Sequence, residues 1–166
     1  MNSDTTVSAQ SPWHVERQRP SECLLATLAT LSGQPYSYVR AKAHRFLREW
    51  YAQETGSIPA DCTWRDYAIG HTEAYHAVAN QLTRLLGLPS FTFSAATPSG
   101  CDSTIPAQGQ GYIRFKHSAG SHITPWRDGL IYEVGCDNPM QGMTLSNYLT
   151  QHPNAVVLTI ETTYPR

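Results

Sequence analysis

Gln18-Arg19-Pro20-Ser21-Glu22-Cys23-Leu24-Leu25-Ala26-Thr27-Leu28-Ala29-Thr30-Leu31-Ser32-Gly33 begins polar, passes through a proline and turns apolar at Cys23. The apolar part is rich in helix formers, Ser21 is in place to cap it and Gly33 to stop it. Cys23 therefore falls in the first turn of a buried helix. Unpaired backbone N–H groups and the positive end of the helix dipole favour a thiolate there. A cysteine so placed becomes a nucleophile if a histidine reaches it.

The rest of the chain sets the frame for that helix. A second helix is expected over 37–53, with Val39, Ala43, Phe46, Leu47 and Trp50 at three- and four-residue steps. A third is expected over 72–86, capped by Thr72 and closed by Gly87. Strands follow at 91–94, 112–116, 122–127, 130–135 and 155–160, with a short helix over 144–151 capped by Thr144. The stretch 95–109 reads as a loop. Asp128-Gly129 is the strongest hairpin turn in the sequence. Helices first and antiparallel strands second define an α+β chain: an N-terminal helical lobe packed on a C-terminal sheet. Residues 1–14 read as a loose tail and 15–166 as one domain.

Composition narrows the function. The 166 residues are 40% hydrophobic and 15% charged, with a formal net charge of −1. A disordered chain is excluded, and attraction to nucleic acid or an anionic membrane is not expected. The apolar runs are too short to span a bilayer, and the first ten residues carry no signal-like core. A cytoplasmic protein, or one delivered into a host cell by another route, is expected, as a monomer. Four cysteines at 23, 62, 101 and 136 are too scattered for a metal knuckle, and a domain this size needs no disulfide framework. His71 and His76, five apart, do not share a helix face, so no metal is expected.

Seven histidines are available to serve Cys23. His122 is the best placed, because Ala119-Gly120-Ser121 gives the backbone freedom where its strand begins. His117 is a fallback. With a two-residue turn at 128–129, Arg127 faces Leu130 and His122 lies opposite Gly135. The acids sharing its face are Glu133 and Asp137. Asp137, beyond the strand end, is the preferred orienting acid and Glu133 the alternative. The Cys23 N–H and the Gln18 side-chain amide are the candidate oxyanion donors. Gly120, Ser121 and Trp126 are candidate substrate contacts. Pro125 cannot donate a ladder bond, so its arm is expected to be a sheet edge or locally irregular.

Gln18-x4-Cys23 on a small-and-aliphatic helix, the Gly33-Gln34-Pro35-Tyr36 break, a late His122 on a hairpin arm and Asp137-Asn138-Pro139 together resemble the papain-like cysteine peptidase superfamily. Within it the pattern is similar to small bacterial and phage peptidases related to bacteriocin-leader-cleaving domains, and to viral leader proteases. The resemblance implies Cys23 as nucleophile, His122 as general base and acid, Asp137 as orienter and Gln18 as oxyanion donor. It implies no cofactor, and a peptide or protein as substrate. Leu24 after the nucleophile and Pro125 in the histidine strand depart from the pattern. They motivate a second expectation, an inactive peptide- or protein-binding module or inhibitor on the same fold.

Overall fold

A computed structural model describes residues 13–91 and 104–164. The described residues form five helices and one four-stranded antiparallel sheet, an α+β arrangement. The helices are α1 (Cys23–Ser32), α2 (Tyr36–Thr55), α3 (Trp64–Tyr67), α4 (Thr72–Leu85) and α5 (Leu145–Gln151). The strands β1 (Gln110–His117), β2 (Gly120–Arg127), β3 (Leu130–Ile131) and β4 (Val156–Tyr164) lie in the order β3-β2-β1-β4.

Leu24 to Leu31 of α1 are all buried, so this helix is a core element with no solvent stripe. Its buried hydroxyls are satisfied: Thr30 donates to the Ala26 carbonyl at 3.0 Å, and Thr27 to the Ile123 carbonyl of β2 at 3.3 Å. Gly33 ends it in the left-handed region (φ 68°), where glycine carries no side-chain penalty. In α2 the buried set is Tyr36, Val39, Ala43, Leu47 and Tyr51, with Phe46 and Trp50 half-buried. In α4 the buried set is Ala74, Val78, Ala79, Leu82 and Thr83, while Leu85 is exposed.

Two apolar clusters result. The larger joins α1, α2 and α4 to Tyr112, Ile123 and Val134. The smaller joins Ile113, Phe115, Trp126 and Ile131 to Tyr148 of α5. Trp126, expected as a substrate contact, belongs to the smaller core: it is fully buried and its Nε1–H donates to the Glu161 carbonyl at 3.2 Å. Its indole lies where Gly111 lets β1 approach β4; a β-carbon at 111 would fall 1.8 Å from the Glu161 oxygen and 2.9 Å from Trp126.

Several boundaries move. Ser21 does not cap α1. It sits at φ 64° in a turn closed by the Glu22 N–H and the Arg19 carbonyl, and Glu22 takes the cap position without capping through its side chain. His71, not Thr72, precedes α4. Thr144 does cap α5, accepting from the Asn147 N–H at 3.1 Å. The last strand runs on to Tyr164. The strand expected at 91–94 and most of the 95–109 loop lie outside the described residues. Trp13, at the end of the expected tail, packs edge-on against Tyr132 at 5.3 Å.

The Asp128–Gly129 turn has positive φ at both residues (48° and 84°), and Arg127 pairs with Leu130. The expected strand 130–135 stops at Ile131, and Pro125 explains why. Its carbonyl accepts from the Tyr132 N–H at 2.9 Å, so its missing N–H faces the same partner. The Thr124 hydroxyl takes over, donating to the Tyr132 carbonyl at 2.8 Å and accepting from the Val134 N–H at 3.2 Å. The chain leaves the ladder at this point, and residues 133–135 are free to curl toward His122.

Candidate active site

The turn at residues 19–22 delivers Cys23 as the first residue of α1. Glu22, immediately before it, is buried and held by two side chains. Tyr36 Oη donates to its carboxylate, and Arg40 Nε lies 3.0 Å from both oxygens. The same phenol oxygen accepts from the Arg19 N–H at 3.0 Å. A buried carboxylate with all these donors is a fixed point, so the start of α1 has little freedom to move. One turn later, the Thr27–Ile123 bond ties α1 to the strand residue beside His122.

His122 Nε2 lies 2.7 Å from Glu133 Oε1, and the same oxygen accepts from the Gly135 N–H at 2.7 Å. The two side chains are 17% and 7% exposed. Burial works against a charged imidazole, but hydrogen bonds with Cys23 and Glu133 and the charges of both outweigh it, pushing the His122 pKa up to about 10. Burial also works against the Glu133 carboxylate. Its bond to His122, the imidazolium charge and the Gly135 N–H prevail and hold it below the ordinary carboxyl value. With Nε2 committed to Glu133, Nδ1 is the nitrogen left for the thiol.

Asp137 does not orient this histidine. It is exposed and pairs with Arg17 at 2.6 Å. The expected register holds only as far as the Pro125–Tyr132 bond, although Gly135 still comes close to the ring, where a β-carbon would lie 3.9 Å from His122 Cε1. Beyond Tyr132 the ladder has ended, so strand pairing does not bring Asp137 to the His122 face. Glu133, the alternative, has the longer side chain and the curled backbone that together reach the ring.

Cys23 and His122 open on one cavity of about 410 Å³ between the start of α1, the residues leading into α4 and the β1–β2 hairpin. Gly120 and Ser121 line it beside His122, and Tyr75 and Arg114 line it as well. Gln18 does not line this cavity. Its backbone N–H donates to the Val134 carbonyl at 2.8 Å, and its side-chain Oε1 is buried without a partner. It therefore supports the segment that carries Glu133. Cys62 and Cys136 are free thiols. Among the described residues, no three His, Cys, Asp or Glu side chains are grouped to hold a metal, and no helix is long and apolar enough to cross a membrane.

Sequence reading missed three contributors. Tyr36 falls in the expected break before the second helix and Arg40 within that helix, and nothing local marks either as a partner of Glu22. Tyr148 sits behind Glu133 and is one of nine tyrosines with no distinguishing context. Comparison with known protein families, curated proteins and solved structures gave no match.

Proposed function

We propose that the chain is a cysteine hydrolase of papain-like architecture, acting on peptide or isopeptide bonds through Cys23, His122 and Glu133. The observation that carries this reading is the chain of contacts from a thiol at a helix start, through an imidazole, to a buried carboxylate, with the thiol and the imidazole opening on one cavity.

In the reaction so read, the Cys23 sulfur attacks the carbonyl carbon and forms a C–S bond. The carbonyl electron pair moves to oxygen, which faces the N–H groups at the start of α1. The C–N bond then breaks, and the His122 imidazolium gives its proton to the departing amine. Water attacks the thioester next, with His122 taking its proton. The C–S bond breaks, the acid leaves and the thiolate–imidazolium pair is restored. Glu133 holds the ring orientation throughout and offsets its charge. The Gln18 amide has no step in this scheme, and the main-chain donors carry the oxyanion.

The test is covalent labelling at neutral pH with an epoxide or acyl reagent directed at thiols, read by peptide mass spectrometry. Labelling confined to Cys23 and lost in Cys23→Ala is the expected result. Labelling of Cys62 or Cys136 with Cys23 untouched would defeat the hydrolase and leave a peptide-binding module on the same fold.

A further inference from the structure

The turn that joins β1 to β2 borders two cavities. Ala119, Gly120, Ser121 and His122 line the cavity of about 410 Å³ that Cys23 also lines, and the same four residues line a second cavity of about 510 Å³. Cys23 has no part in the second, whose further lining includes His117, Tyr148 and His152. The shared rim is uncrowded: a β-carbon at Gly120 would meet nothing beyond its chain neighbours within 4 Å. The second cavity is aromatic. His117 lies edge-on to both His122 and His152, with ring centroids 6.0 and 5.7 Å away, and Tyr148 lies 4.5 Å from His152. Much of the polar capacity here is already engaged. His117 Nε2 lies 3.2 Å from the Tyr148 hydroxyl, Glu133 Oε1 serves His122 and Gly135, and Glu133 Oε2 is fully buried. Ring surface is what this cavity chiefly offers a ligand.

We propose that the second cavity is the subsite for the amine half of the substrate, and that it takes an aromatic side chain on the residue that follows the scissile bond. The assignment of halves rests on the hydrolase reading and follows from its bond changes. The acyl half stays joined to the Cys23 sulfur as the thioester, so it belongs to the cavity that Cys23 lines. When the C–N bond breaks, the departing nitrogen takes its proton from His122, the member of the catalytic pair common to both cavities. The amine half therefore leaves on the His122 side, over the 119–121 turn and into the cavity that Cys23 does not line. The preference for an aromatic side chain follows from the lining. Rings already set edge-on to one another accept a further ring in offset or edge contact, which adds to the gain from burying its area. The volume is in the range that holds a ligand of this size.

The experiment titrates amino acid amides, which stand for the amine half, into the full-length protein and follows the His117 and His152 ring protons by NMR, without turnover. Phenylalaninamide is expected to shift both rings and to bind about tenfold more tightly than alaninamide, the scale of burying one aromatic side chain. Lysinamide is expected to gain nothing over alaninamide. His152→Ala removes one ring from the lining and is expected to weaken phenylalaninamide about threefold while leaving alaninamide unchanged. Ser118 is exposed and lines the second cavity alone, so Ser118→Trp is expected to fill it and exclude phenylalaninamide. Equal affinities for phenylalaninamide and alaninamide would overturn the proposal, as would shifts confined to His76 in the first cavity. Labelling at Cys23 without a preference for phenylalaninamide would leave the hydrolase standing and the subsite refuted. A Cys23 that resists labelling, with the preference intact, would refute the hydrolase and the assignment of halves and leave a cavity that binds aromatic groups.

Discussion

His117 and His122 stand on neighbouring strands with ring centroids 6.0 Å apart, yet their pKa values move in opposite directions. Burial lowers both. His117 meets a phenol and two other imidazoles, and burial followed by repulsion from His122 and His152 drives it further down. His122 meets a carboxylate at 2.7 Å and a thiol, and it rises to about 10. The upward shift thus falls on the imidazole in the cleft and the downward shift on its neighbour His117. The acid partner, rather than depth in the protein, decides which histidine carries a proton.

The comparison breaks most severely if the charged histidine is removed. His122→Ala is expected to lower the rate of Cys23 alkylation and of any peptide hydrolysis by about 10³-fold, the usual scale of a lost general acid–base. Glu133→Gln keeps the shape and removes the charge. About a hundredfold loss is expected, together with a fall in the His122 midpoint toward that of His117. Removing the charge that fixes the start of α1, in Glu22→Gln, is expected to cost about 2 kcal/mol in urea unfolding; Arg40 is partly exposed, which softens the full penalty of a broken buried pair. Asp137→Asn sharpens the contrast from the other side. Its exposed pairing with Arg17 contributes at most about 1 kcal/mol, so stability and labelling rate should stay close to wild type.

Stability against pH follows from the same pair. The His122 pKa is raised from 6.5 to about 10, so its contribution is complete below pH 6.5 and lost as pH climbs toward 10. The Glu133 pKa is lowered from 4.5, so its contribution is present above that value and lost as pH falls through the depressed midpoint. Urea midpoints should therefore plateau between these limits and fall on both sides. Both slopes should shrink in Glu133→Gln.

Much of this frame could be read from the sequence because it rests on local signals. The polar-to-apolar switch at Cys23, the glycine stop at 33 and the positive-φ turn at 128–129 are each written within a few residues. So is Thr144, whose side chain caps α5. The failures came from events that no window contains. Pro125 ended a ladder that the hairpin count assumed would continue, and so the acid chosen was Asp137 instead of Glu133. Trp126 looks the same in a core as on a cleft wall. Ser21 has the chemistry of a cap, yet the Arg19–Glu22 turn needs it in the left-handed region. Tyr148 and the Glu22 partners arrive from elements 14 to 31 residues or so away in sequence from what they touch, too far for spacing to announce them.

The central claim is that Cys23 and His122 share one site with the imidazole charged by its partners, and NMR titration of the His122 ring in wild type and Cys23→Ala tests it most directly. The account predicts a wild-type midpoint near 10, far above that of His117, and a clear fall when the thiol is removed. Coincident midpoints for the two histidines near 6.5, unmoved by Cys23→Ala, would contradict it.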